Sequence, residues 1–266
     1  MNNQWCSLKE LADFLKNEFS IDRYDPSEQG GIYHPSDQPV TRLGLVLEPW
    51  PDLPEWIAGH QIDALWIHRP WKLDTIRMPR DIGILSHHLP FDETLTMGYN
   101  PLLASLMSKL GQPEPLGFRQ ATADNGELLP QRPIGMLFDI VGQEFDALLR
   151  EVNSLFGGYD RAEAGRCPTG AHTISRIAVV GAMNELLIRE AYDRDADLYL
   201  TGQYRKPAQP AVDDTGIAVI SIGHLRSEEW GLRALADLLH DRWPTIEIVM
   251  PISGQTVTVM SNNNSV

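Results

Sequence analysis

Ile84-Leu85-Ser86-His87-His88-Leu89-Pro90-Phe91-Asp92-Glu93-Thr94-Leu95-Thr96-Met97-Gly98-Tyr99-Asn100 is the stretch around which this chain is organised. A short apolar run, Ile82, Ile84 and Leu85, stops at two histidines, and Asp92 follows four residues after the second. The pattern reads as a strand running into a loop that holds an imidazole and a carboxylate side by side. Nitrogen with oxygen is the ligand mixture favoured by zinc, iron or manganese. His and Asp are also ordinary loop residues, so the weight comes from two other strands that end in the same kind of residue.

Upstream, Ala64-Leu65-Trp66-Ile67 forms a buried strand ending on His68, and Pro70 blocks further pairing. Downstream, a strand over 217–222 ends on Gly223-His224. In layered α/β proteins ligands gather at the carboxyl ends of the strands. His68, His88 with Asp92, and His224 are therefore set out as one candidate site. Glu228 lies four residues after His224 and directly after Ser227, which reads as a helix cap. A carboxylate there faces unpaired amides and the positive end of the helix, which favours its ionised, ligand-competent form. The same place equally suits a carboxylate that only complements the helix dipole, as Glu229 would.

The remaining pattern supplies the layers. Ser7 and Glu10 form a capping box for a helix over 7–19, with Leu8, Leu11, Leu15 and Phe19 as its apolar stripe. Residues 22–40 are rich in Gly, Pro, Ser and Asp and read as a loop. Strands are predicted over 43–47, 134–140, 174–180, 198–200 and 247–250, and helices over 54–60, 144–156, 184–194 and 228–239. Asn100 caps a further helix with Pro101 at its first position, burying Leu102, Leu103, Leu106, Met107 and Leu110 before Gly111 stops it. Strands alternating with helices define an α/β fold of two layered lobes with mixed sheets. The Pro-, Gly- and Gln-rich run over 112–133 marks a change of lobe: 112–216 is an insert, while 1–111 and 217–266 form the metal-binding lobe. No internal repeat shows in the sequence, and a polar tail over 261–266 is expected to fray.

Composition narrows the partners. The 266 residues carry a net charge of −14, which argues against nucleic acid, whose phosphates need a basic surface. No run approaches the ~20 apolar residues that span a bilayer, no signal peptide opens the chain, and a cytoplasmic protein is expected. Cys6 and Cys167 have no spacing for a disulfide framework or a thiolate metal site and read as reduced thiols. His34, His60, His172 and His240 have no carboxylate at useful spacing. His87 and His88 should face opposite ways on a strand end. Trp50, Trp56, Trp66 and Trp71 suit core packing, although Trp71 could wall a pocket.

Taken in order, His68-Arg69-Pro70, His88-Leu89-Pro90-Phe91-Asp92, Gly98-Tyr99-Asn100, Thr201-Gly202-Gln203 and Gly223-His224-Leu225-Arg226-Ser227-Glu228 resemble the motifs of a known family. These are the dinuclear metal-centre hexameric proteins, or NGG-one-interacting-factor-three-like proteins, often labelled GTP cyclohydrolase I type 2 homologues. The resemblance implies metal ligands at His68, Asp92, His224 and Glu228, with His88 close by, and a homohexamer. It also implies a small anionic or nucleotide-like substrate. The chain departs from the family pattern at Arg69, where a second His is usual, at Gln203, where Asp is usual, and at Gly181-Ala182-Met183, a reduced glycine turn. A Trp-Asp-Asn-like segment near the start is absent.

Two functions follow. One is a metal-dependent, cyclohydrolase-like hydrolase holding one or two divalent ions per chain, with Glu228 and Arg69 as its candidate catalytic residues. The other is a non-catalytic, metal-stabilised oligomeric scaffold acting through protein partners. Arg69 bears on the ion count, because a guanidinium has no lone pair to offer a metal. It either replaces the second ion electrostatically, pairing with Asp92, Glu228 or a substrate phosphate, or it turns outward.

Overall fold

Short apolar runs bounded by turn residues build two six-stranded sheets with eight helices among the described residues. The structure is a computed structural model describing residues 5–108, 110–166, 173–252 and 255–259. Cys167, His172 and the polar tail lie outside the described residues. By internal contacts the chain forms two units, Met1–Phe91 with Thr122–Leu129 and Leu232–Val266, and Asp92–Ala121 with Pro130–Gly231.

In the first unit the sheet runs in the order β1 (Gly31–His34), β4 (Gly83–Ser86), β3 (Ala64–Ile67), β2 (Arg42–Val46), β11 (Glu247–Ile252), β12 (Gln255–Val259). The four middle strands are parallel and the two edges antiparallel. Both β3 and β4 are buried along their whole length, as parallel strands covered on both faces must be. Helix α1 (Leu8–Glu18) lays Leu8, Leu11 and Leu15 into the core, held at its start by the Ser7–Glu10 capping box. Helix α2 (Leu53–Gly59) connects β2 to β3.

The second unit orders its sheet β5 (Glu114–Arg119), β6 (Arg132–Glu144), β8 (Thr173–Ala182), β9 (Leu198–Gln203), β10 (Ala218–Ser221), β7 (Arg161–Glu163). Strands β8, β9 and β10 are parallel; the remaining pairings are antiparallel. Helices α5 (Phe145–Phe156), α6 (Glu185–Asp193) and α7 (Gln209–Thr215) belong to it. Helix α3 (Leu89–Leu95) and helix α8 (His224–Arg242) each contain one of the points where the chain passes between units, and α4 (Pro101–Met107) follows α3.

A structural repeat links the sheets although the sequence shows none. Asp63, just before β3, accepts from Thr41 N–H, Thr41 Oγ1 and Arg42 N–H at 2.9, 2.6 and 2.9 Å. Asp197, just before β9, accepts from Ser175 N–H, Ser175 Oγ and Arg176 N–H at 2.7, 2.8 and 3.0 Å. Both clips span 22 residues. Each is preceded by a left-handed residue, Gln61 or Asp195, with φ of 53° and 62°. Only an Asp, an Arg and a hydroxyl residue recur, too few identities to register as a repeat.

Other expectations are corrected. Strand β1 lies in the stretch predicted to be loop, because Gly30 and Gly31, with φ of 74° and 121°, give a short edge strand the composition of a turn. Strand β5 lies in the Pro-, Gly- and Gln-rich run over 112–133, where no strand is predicted, and Pro115 is tolerated there because β5 is a sheet edge. Helix α4 ends at Met107 and buries Leu103, Ala104 and Met107, while Leu102, Leu106 and Leu110 are exposed. Asp92 sits in the first turn of α3 rather than in a loop.

Candidate metal centre

Strand β3 delivers His68 one residue past its end, and the His68 N–H still donates to the Val46 carbonyl at 3.0 Å. The imidazole is buried, with Nδ1 3.1 Å from the His87 carbonyl oxygen. A carbonyl oxygen only accepts, so Nδ1 carries the proton and Nε2 keeps its lone pair. Metal-binding imidazoles are commonly held in this way by an outer hydrogen bond.

After β4 the two histidines part. His87 turns into the core, where Nδ1 accepts from Trp66 Nε1–H at 3.1 Å and the ring stands edge-on to Phe19. Burial pushes its pKa down to about 4, which keeps it neutral. His88 is half buried, its ring centroid 4.9 Å from that of His68. Phe91 packs against His68, and Trp71 stands edge-on to His88, both at 4.9 Å.

Asp92 joins them from α3. The helix is anchored by the next residue, Glu93, whose carboxylate accepts from Arg132 Nε–H at 2.7 Å in an ion pair whose side chains are 8% and 6% exposed. Gly98 lets the chain fold back after α3, since a Cβ there would lie 2.2 Å from the Glu93 carbonyl oxygen. Asn100 then bridges Thr96 O to Leu103 N–H, capping α4. His68, His88 and Asp92 each offer one ligand atom, and these lie within 4.8 Å of one another. No other group of three or more His, Cys, Asp or Glu side chains converges this way among the described residues. Ligands sharing an ion about 2.1 Å away stand about 3.4 Å apart in a tetrahedral shell, so small rotamer changes close the three on one ion. Two imidazoles and a carboxylate fit zinc, iron or manganese.

His224 and Glu228 form a pair of their own. Helix α8 starts at His224, a turn earlier than a Ser227 cap predicts, after Gly223 with φ of 99°. Ser227 Oγ donates back to the His224 carbonyl at 2.7 Å instead of capping. One turn apart on the same helix, His224 Nε2 and Glu228 Oε1 are 3.0 Å apart, with the Glu228 side chain 3% exposed. Gly202 admits α8 closely, because a Cβ there would lie 2.9 Å from both Ser227 Oγ and the Gly181 carbonyl.

Two of the departures in sequence, Arg69 and Gln203, also have partners. Arg69 donates to Glu48 at 2.7 Å, and Gln203 accepts from Arg205 at 3.1 Å. Trp71 walls a cleft of about 560 Å³ that reaches His88, in line with the sequence expectation for it; what sequence reading missed is the other wall, Tyr33 and Ile32. Its signal was the apolar pair Ile32-Tyr33 set in an otherwise polar stretch.

Two mixed sheets, with an imidazole–carboxylate group following the ends of parallel strands, define a layered α/β protein with a candidate metal-binding group. The family model for Duf34/NIF3 (NGG1p interacting factor 3) matches residues 6–255, and the chain belongs to that family. Its curated relatives are named GTP cyclohydrolase 1 type 2 homolog. One, from Neisseria meningitidis serogroup B, is 29% identical over 170 residues, covering 63% of this chain and 61% of the relative. Another, from Pyrococcus abyssi, is 23% identical over 250 residues, covering 88% and 94%. The chain thus spans less than two thirds of the Neisseria relative and nearly all of the Pyrococcus one. Among solved structures, reduced HcgD from Methanocaldococcus jannaschii matches with a TM-score of 0.68 at 20% identity, covering 92% of this chain and 98% of that one. A structure titled protein ybgI, unknown function, gives 0.68 at 17% identity, covering 92% and 97%. These likenesses show the fold.

Proposed function

We propose that this protein is a metal-dependent, hydrolase-like enzyme acting on a small anionic or nucleotide-like substrate. The observation that carries the reading is the convergence of His68, His88 and Asp92. His224 and Glu228 are proposed to complete the same centre, and the name shared by the relatives supports a cyclohydrolase-like reaction. A divalent ion in such a set supplies Lewis acidity, polarising a substrate oxygen and lowering the pKa of water to about 7. The chain's own groups do the rest. His68 is held in one tautomer by the His87 carbonyl. Glu228, buried beside His224, takes the proton that water gives up as it attacks a ring carbon or a phosphorus. Arg69 receives the substrate anion in place of exposed Glu48. A homohexamer is part of the same proposal and is tested by sedimentation, where a stable monomer or dimer at micromolar concentration rejects it.

Metal counting on protein purified without chelator is the deciding experiment. Near one equivalent per chain is expected, rising towards two in Arg69→His, because the fixed cation repels a second ion. Asp92→Ala and His224→Ala should each lose the metal while helical content stays intact. Unchanged metal in Asp92→Ala removes the centre; unchanged metal in His224→Ala alone removes only the second pair. Retained metal without turnover on nucleotides or phosphate esters selects the scaffold over the enzyme.

A further inference from the structure

The cleft that ends at His88 has a chemistry of its own. Trp71 leaves 69% of its surface in solvent, Tyr33 47% and Ile32 46%, and all three line the same cleft. Three large apolar groups exposed together, on a chain whose other tryptophans are mostly packed, are costly unless something covers them. At about 560 Å³ the cleft falls within the usual range for small-molecule sites. Its floor is backbone: Gly30 fits so closely onto the end of β4 that a Cβ would lie 2.2 Å from the Ser86 carbonyl oxygen. At Gly31 an added Cβ would meet nothing within 4 Å, so the space above it is open. The charge is equally specific. Among the described residues Glu28 is the only acidic group on the wall, and none of them that lines the cleft is a lysine or arginine.

We propose that this cleft is the subsite for a planar heteroaromatic ring carrying N–H donors, with Trp71 and Tyr33 supplying the aromatic faces and Glu28 accepting from the ring. Flat faces suit stacking of a planar ring, and a carboxylate without a neighbouring cation suits N–H groups and repels phosphate. His88 belongs both to this cleft and to the candidate metal group, so a ring seated here presents its edge to the site of chemistry. That orientation rests on the metal-centre reading; the ring subsite itself does not.

The test uses the full chain, both stripped with chelator and loaded with metal, titrated with 2-aminopurine and with 6-methylpterin. Stacking quenches the fluorescence of both probes. Saturable quenching is expected with and without metal, and millimolar inorganic phosphate should leave it unchanged. Trp71→Ala and Tyr33→Leu should weaken binding by about 5- to 150-fold, the range of one lost stacking partner. Trp71→Phe should stay within about threefold of the parent, since a ring face remains. Glu28→Gln should weaken binding as well. Circular dichroism and metal content of the Trp71 variants should match the parent. Asp92→Ala should still bind the probes, which separates failure of the ring subsite from failure of the metal centre. The proposal is overturned if neither probe saturates below millimolar concentration, if Trp71→Ala and Tyr33→Leu bind as the parent does, or if phosphate displaces the probes.

Discussion

Neighbouring residues in this chain are repeatedly given opposite tasks. His87 goes to the core and His88 to the candidate metal-binding group, a division that alternation along an extended segment imposes. Asp92 offers a ligand atom while Glu93, the next residue of the same helix, is locked to Arg132. Removing one partner of a buried ion pair leaves the other charge less well compensated and typically costs about 3–5 kcal/mol, whereas replacing both by apolar groups of similar volume is often neutral. Arg132→Met is therefore expected to lower unfolding stability by about 3 kcal/mol, with the double variant Glu93→Met/Arg132→Met recovering most of it. Urea titrations of the three proteins check this. Equal losses in the single and double variants would show that the pair is not what holds α3.

Element positions were legible wherever the pattern was long or capped. The 3.6-residue stripe and capping box of α1, the Asn100 cap of α4 and the buried runs of β2, β3 and β4 all come directly from residue types. His68 and His88 were legible as candidates because each follows a short buried apolar run, and Asp92 because it lies four residues beyond His88. Illegible were the elements whose composition imitates a turn, namely β1 with its two glycines and β5 with Pro115. The start of α8 was misplaced because Ser227 has the right residue type for a cap, while the i to i+4 pair of His224 with Glu228 carries the helix one turn further back. The Asp clips were invisible because two of the three donors in each are main-chain N–H groups, which any residue supplies. Asp63 and Asp197 each gather three donors on one oxygen, and charge-assisted bonds of this kind contribute about 1.5–3 kcal/mol apiece before desolvation is counted. Asp63→Ala and Asp197→Ala are each expected to cost about 2–4 kcal/mol. Asn at either place should recover part of the loss, as its side-chain oxygen can still accept. Thermal melts decide, and a loss confined to one of the two would deny that the clips play the same part.

Over the whole molecule the charge balance is acidic, −14 with a pI near 4.9, and no helix among the described residues is long and apolar enough to cross a membrane. The response of such a chain to alkali is set by its buried weak acids. Cys6 lies in the core, 1% exposed and bridged through its backbone to Val40, and burial with nearby Glu10 pushes its thiol up to about 12 from an ordinary 9.0. Tyr199, fully buried in β9, is pushed well above the usual phenol range by burial. Both groups are neutral when protonated, so the folded state keeps a proton that the unfolded chain has already lost. Stability tied to Cys6 is therefore fully present below pH 9 and is lost as pH rises towards 12, at up to about 1.4 kcal/mol per pH unit for one proton. Tyr199 adds a second proton of the same sign once the unfolded phenol ionises, at about pH 10. Urea midpoints measured from pH 7 to 11 should hold level at first and then fall. Cys6→Ala should flatten the fall above pH 9, and Tyr199→Phe the part above pH 10. Neither substitution should alter the slope below pH 8, because each thiol or phenol is protonated there in both states. A Cys6→Ala curve that runs parallel to the parent from pH 9 to 11 would show that the thiol ionises in the folded protein as readily as in the open chain, and the buried-acid account would fall with it.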